Sequence, residues 1–178
     1  MNLGKISVRY GKALFQFAKE KNQLEKVSRD MELLYNSSVE VPEFRDFLNN
    51  PILPLSGKKN AIHKIFENKI DPLTIDFLDL IIKNNRLAFL EGITLQFRDQ
   101  FNTYKGITLA KLTTVYPLDH DLRDKIIEFI KKKTTNKIIL DEITDPEILG
   151  GFIIKIEDEQ IDTSVRTQLN KIKKELTH

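Results

Sequence analysis

Apolar positions recur at helical spacing over residues 1–105 and at strand spacing in several segments beyond them. Over Leu3–Lys21, the residues Ile6, Tyr10, Ala13, Leu14 and Phe17 fall on one face of a helix. Val8, Phe15 and Ala18 widen the apolar area past a single stripe, so this helix is expected to meet both its own core and a second surface. Leu24, Val27, Met31 and Leu34 repeat at steps of three and four in a second helix, Leu24–Ser37. That stripe is only about two heptads long, which is bundle packing rather than a coiled coil. Val41 precedes Pro42 and is pushed out of the helical region. Pro42 then opens a short helix, Glu43–Leu48, which Asn49-Asn50-Pro51 ends. Ser56 is the N-cap candidate for a helix reaching Phe66. Asp71-Pro72 combines a capping side chain with a proline at the first helical position. The helix behind it carries Leu73, Ile75, Phe77, Leu78, Leu80, Ile81 and Ile82 and is apolar nearly all round. Such a helix belongs at the centre of a bundle, with Asp76, Asp79 and Lys83 as its wet edge and Asn84-Asn85 as its end. Arg86–Tyr104 forms the last long helix, with Leu87, Leu90, Ile93, Phe97 and Phe101 inward.

The period changes at Lys105-Gly106. Ile107–Tyr116 is rich in Thr, Ile, Val and Leu and reads as a strand that Pro117 stops. Asp119–Lys133 is an amphipathic helix with Leu122, Ile126, Phe129 and Ile130 inward, and Ile138–Leu140 is a short strand. Asp145-Pro146 makes a turn. Gly150-Gly151 then leads into an apolar strand, where a glycine pair means that the backbone bends sharply or comes close to another chain. Glu157–Asp162 reads as a solvated hairpin turn, and Asp162 or Ser164 caps a final helix, Thr163–Leu176, carrying Val165, Leu169, Ile172 and Leu176. The expected order of this second part is β-α-β-β-α, with the final helix held against the sheet. The fold class is therefore mainly α: a helical bundle over residues 1–105 joined to a small α/β module over residues 106–178.

Composition narrows the function classes. The chain has 178 residues, 40% hydrophobic and 30% charged, as in an ordinary soluble protein. It has no cysteine, which removes disulfides, thiolate chemistry and cysteine-ligated zinc. No apolar run is long enough to span a bilayer, and Met1–Tyr10 lacks the apolar core of a signal peptide. The first 105 residues carry 16 Lys and Arg against 13 Asp and Glu, and the remaining 73 carry 12 against 13. Neither part has the basic bias of a nucleic-acid binder, which favours protein partners. His63, His120 and His178 are far apart in sequence and none has a second histidine at helical spacing. Gly150-Gly151 lacks the pattern of a phosphate cradle, no serine sits in a nucleophile elbow, and the many carboxylates single out no acid–base pair. The residues thus point to no catalytic, cofactor or metal site, and to an adaptor rather than an enzyme.

Asp145-Pro146-Glu147-Ile148-Leu149-Gly150-Gly151-Phe152, followed by Asp162-Thr163-Ser164-Val165 and Leu169, resembles the C-terminal signature of the δ (OSCP) subunit family of F-type ATP synthases. Ile148-Leu149 stands where that family has Leu-Ile. Arg9-Tyr10-Gly11-Lys12-Ala13-Leu14 resembles the motif on the family's first helix, with Gly11 in place of an alanine. The resemblance spans the whole chain. It implies a six-helix N-terminal domain, a small α/β C-terminal domain and a non-catalytic stator role in proton-driven ATP synthesis, without a cofactor. It further implies that the N-terminal domain grips N-terminal helices of the α subunits, and that the C-terminal domain holds the b subunits of the peripheral stalk. The place implied is the cytoplasmic face of a bacterial membrane, with no segment inserted and no nucleic acid bound. Tyr10, Leu14, Phe17, Phe77 and Ile81 are the expected surroundings of a partner groove. Gly150, Gly151, Asp162 and Ser164 are the expected structural motif. The competing reading is an RNA-binding or ribosome-associated adaptor using Lys131–Lys133.

Overall fold

The computed structural model describes residues 3–132, 134–156 and 159–176. The chain is mainly helical and divides into two compact units, Met1–Phe101 and Asn102–His178.

The first unit holds α1 (Leu3–Glu20), α2 (Leu24–Glu40), α3 (Pro42–Asn49), α4 (Leu55–Phe66), α5 (Pro72–Lys83), a 3-10 turn (Leu87–Phe89) and most of α6 (Leu90–Lys105). The breaks follow from side-chain and backbone chemistry. Asn22, at φ +54°, ends α1, where the N–H of Gln23 reaches back to the Ala18 carbonyl. Val41 is extended before Pro42, so α2 cannot continue through it. The Asp71 carboxylate accepts the N–H of Leu73 at 3.0 Å and caps α5. Asn85, also at φ +54°, closes α5, with the Arg86 N–H on the Ile81 carbonyl at 2.7 Å. Ser56 does not cap α4. The cap position is Pro54, without a side-chain bond, and Ser56 lies one residue inside the helix.

The core of this unit centres on α5, whose Leu73, Ile75, Phe77, Leu78, Ile81 and Ile82 are all buried. Around it lie Leu14 and Phe15 of α1, Met31 and Leu34 of α2, Ile62 of α4 and Phe97 of α6. Phe15 meets Phe97 edge-on, with ring centroids 6.0 Å apart. The core stripe of α1 is Ile6, Leu14, Phe15 and Ala18. Ala13 and Phe17, expected on the same face, are exposed, and Tyr10 is half-buried at the edge of the core.

The second unit holds β1 (Ile107–Thr114), α7 (His120–Lys131), β2 (Lys137–Thr144), a 3-10 turn (Pro146–Ile148), β3 (Phe152–Ile156), β4 (Glu159–Asp162) and α8 (Val165–Leu176). Its sheet has the order β2-β1-β3-β4, with β1 parallel to β2 across the α7 crossover and the other pairings antiparallel. Ala110, Leu112 and Ile154 pack beneath Ile126 and Ile130 of α7. Asp119 caps α7 through the N–H of Leu122, and Arg123 pairs with Glu142 of β2 at 2.9 Å.

Four expectations for this unit change. Glu159–Asp162 is the edge strand β4 rather than turn, because its residues pair in register with Ile153–Ile156 of β3. Glu157 and Asp158 lie outside the described residues, as do Lys133 and His178. Ile138–Leu140 is the middle of an eight-residue strand. Leu122 and Phe129 are exposed, not inward. Phe129 is one residue, about 100° of helix, from the Ile130 stripe that covers the sheet. Finally, α8 meets its unit at the Pro146–Ile148 turn and leaves Val165, Leu169 and Ile172 exposed, instead of lying on the sheet. The side chain of Leu176 lies outside the described residues.

Gly11 explains how closely α1 and α6 cross. A Cβ there would stand 2.8 Å from the Gln96 Cβ and 3.1 Å from the Ile93 carbonyl oxygen. An exposed helical Gly→Ala change stabilises by about 1 kcal/mol. Here the added methyl meets backbone, and overpacking of this kind costs about 1–3 kcal/mol. Gly11→Ala is therefore expected to lower the urea midpoint of the helical transition, followed by circular dichroism. A midpoint at or above that of the parent chain contradicts the close crossing.

Candidate functional site

The residues that α1 leaves off its core stripe form one wall of an apolar groove. Tyr10 and Phe17, with Leu14 beneath them, face Phe77 and Leu80 of α5 across a space of about 390 Å³. Spacing explains both walls: Tyr10, Ala13 and Phe17 follow one another at three and four residues, and Phe77, Leu80 and Asn84 do the same on α5. Tyr10 meets Phe77 edge-on at 6.5 Å between centroids, so the groove floor is closed by an aromatic pair. Phe17 and Leu80 remain 46% and 48% exposed, so the groove presents apolar side chains to water.

The rim is cationic. The Arg9 guanidinium lies 5.5 Å from the Tyr10 ring centre, and the Lys21 ammonium lies 5.7 Å from that of Phe17. Helix α1 carries Lys5, Arg9, Lys12 and Lys19 against the single carboxylate Glu20. The groove offers apolar contact flanked by positive charge.

Of the five residues expected around a partner groove, the structure brings together Tyr10, Leu14, Phe17 and Phe77. Ile81 is not with them. It is fully buried in the core, a third of a turn from Leu80. Leu80, with Arg9, Ala13 and Asn84, lines the groove from outside the expected set, and Leu80 is the large apolar one. Its signal was present, since it lies three residues from Phe77 and between Asp79 and the Lys83 edge.

On the other side of α5, Asp79 accepts from Lys59 at 2.7 Å and lies 2.9 Å from the His63 Nε2. Burial acts to raise the Asp79 pKa. The hydrogen bonds and charges of Lys59 and His63 outweigh it and hold the carboxyl below its usual value. His120 opens α7. Among the described residues no three His, Asp or Glu side chains are grouped to hold a metal ion, and no helix is long and apolar enough to cross a membrane.

In the second unit the four motif residues converge. Gly151 has φ +73°, and a Cβ on it would fall on the Thr163 carbonyl oxygen. The close approach is thus to this chain's own strand-to-helix junction. The Val165 N–H donates to the Gly150 carbonyl at 3.0 Å, and the Thr163 N–H to that of Phe152 at 2.9 Å. Ser164 is buried and caps α8, its Oγ accepting the Thr167 N–H at 3.2 Å. The Asp162 carboxylate accepts the Ser164 N–H at 2.9 Å and the Thr167 hydroxyl at 2.8 Å. This junction fixes the first turn of α8, and the exposed Val165, Leu169 and Ile172 then form a stripe at spacings of four and three. Lys131 and Lys132 are exposed at the end of α7.

The chain has relatives over nearly its whole length. A family model described as the ATP synthase delta (OSCP) subunit matches residues 6–176. ATP synthase subunit delta of Christiangramia forsetii is 32% identical over 168 residues, covering 94% of this chain and 91% of the relative. The protein of the same name from Trichodesmium erythraeum is 34% identical and covers 95% of this chain and 93% of its own. Among solved structures, a chain of the Toxoplasma gondii mitochondrial ATP synthase hexamer superposes with a TM-score of 0.78 at 26% identity, covering 97% of each chain.

Asp162 gives this junction a pH dependence. Ser164, through its hydroxyl and its amide, holds the carboxyl below the ordinary value of 3.8, with Thr167 adding to this against a small effect of burial. A carboxyl with a depressed native pKa contributes stability that is present above 3.8 and lost as pH falls through the lower native value. Asp162→Asn is expected to reduce the hydrogen-exchange protection of α8 amides at pH 7, with the difference from the parent chain shrinking below pH 3.8. A difference independent of pH contradicts this role.

Proposed function

Because this chain belongs to the ATP synthase delta (OSCP) subunit family, whose members are non-catalytic structural subunits of ATP synthase, we propose that it is a stator joint. In this reading α1–α6 work as a six-helix bundle that grips N-terminal helices of the α subunits. The C-terminal unit holds the b subunits of the peripheral stalk, at the cytoplasmic face of a bacterial membrane. The observation that carries the reading is the α1–α5 groove. A joint that resists torque needs buried contact and no reactive group, and an apolar groove rimmed by cations suits the apolar face of an amphipathic helix with acidic flanks. The stripe of α8 supports the stalk half of the reading. Its spacing of four and three matches a helix seam, and Arg166 and Lys173 flank it.

Phe17→Glu puts a charge where an apolar anchor is needed. Losing such an anchor costs about 2 kcal/mol, or roughly thirtyfold in Kd. Titration of a synthetic α-subunit N-terminal peptide into the full chain should show that loss, and unchanged affinity would overturn the groove assignment. Leu169→Asp combined with Ile172→Asp is expected to abolish co-purification with the b subunits while leaving peptide affinity intact. Retained b subunits would remove α8 from the stalk contact.

A further inference from the structure

The polar edge of α5, Asp76, Asp79 and Lys83, sets its broad orientation, but the rest of its surface is apolar, and apolar contact is non-directional. Yet the groove exists only if Phe77 and Leu80, rather than Leu78 or Ile81, face α1. A directional contact on the buried side fixes such a register more sharply than apolar packing does.

The buried polar groups show what does so. Asp30 of α2 is 8% exposed, and its Oδ2 accepts two hydrogen bonds from the first turn of α5. One comes from the Asp71 N–H at 2.9 Å, the other from the Thr74 hydroxyl at 2.6 Å. Thr74 is fully buried. Bonds to an ionised acceptor are short and geometrically demanding. A single oxygen that takes donors from positions 71 and 74 fixes both the height of α5 and its rotation. Asp71 in turn caps α5, and Lys26 of α2 lies 3.6 Å from it, so the two helices are tied through this one turn. Phe77 follows Thr74 by three residues, and Leu80 follows it by six. At the far side of α5, Asp79 pairs with Lys59 and His63 of α4, but this contact is partly exposed and therefore weaker.

We infer that Asp30 is the positioning residue of the groove: its two bonds set the register of α5 and so decide which side chains face α1. The inference rests on the groove reading for its functional meaning. Buried polar groups that specify register rather than add stability have precedent in helical assemblies.

The test uses the full chain and the α-subunit N-terminal peptide, with Asp30→Ala, Asp30→Asn, Thr74→Val and the core control Leu48→Ala, each at a temperature where it is folded. Asp30→Ala is expected to weaken peptide binding about tenfold. Asp30→Asn, whose side-chain oxygen still takes both bonds, should stay within about threefold of the parent chain. Thr74→Val should fall between them and carries the test where Asp30→Ala does not fold. Leu48→Ala, buried in α3, should lose stability without losing affinity. Full affinity in Asp30→Ala or Thr74→Val overturns the proposal, as does an equal loss in Leu48→Ala. A second readout needs no ligand. The Tyr10–Phe77 ring contact, read by nuclear Overhauser effects, should disappear in Asp30→Ala and Thr74→Val and persist in Asp30→Asn and Leu48→Ala. Failure of the parent chain to bind the peptide would sink the groove reading alone, whereas survival of the ring contact in Thr74→Val would sink the role of Asp30.

Discussion

Burial of α5 is the constraint from which the rest of the helical unit follows. Six large apolar side chains on twelve residues cannot be covered from one side, and each contributes about 1.5–3 kcal/mol only when it is covered. Helices α1, α2, α4 and α6 therefore surround it, and where they leave a gap, between α1 and α5, an apolar groove remains. The groove follows directly from the core: Phe77 and Leu14 serve both, while Phe17 and Leu80 are left facing water. An apolar groove of this kind is what the proposed stator role requires of a partner-facing surface.

The second unit solves a different problem. Its sheet is small and packs its buried residues under α7, and α8 is not held by that core. Backbone proximity does that work. With no side chain at Gly150 and Gly151, the start of β3 comes within hydrogen-bond distance of Thr163–Val165, and Ser164 and Asp162 secure the first turn. The helix is fixed at its base and bare along its stripe, which suits a docking element better than a core element.

Much of this was legible in the sequence, for identifiable reasons. Asp71-Pro72, Val41-Pro42 and Asn84-Asn85 set helix ends by local chemistry that needs no tertiary context, and all three act where expected. The Gly-Gly bend and the Ser164 cap were readable for the same reason. The split of α1 was not. Leu14 and Phe15 belong to the core and Tyr10 and Phe17 to the groove, but all lie within an arc that periodicity treats as continuous. Ile81 and Leu80 were exchanged for the same cause: adjacent residues on an apolar helix differ only in what stands opposite them. β4 was read as turn because its acidic residues suit water, while its pairing with β3 is a tertiary fact. The Asp30 bonds join residues 41 and 44 positions apart and had no local signal.

The central claim is that the space between α1 and α5 receives a helix. Chemical-shift mapping of the full chain with the α-subunit N-terminal peptide tests it most directly. The account predicts perturbations concentrated at Tyr10, Ala13 and Phe17 and at Phe77, Leu80 and Asn84, with α3 and the second unit unmoved. Perturbations centred elsewhere, with these residues silent, would contradict it.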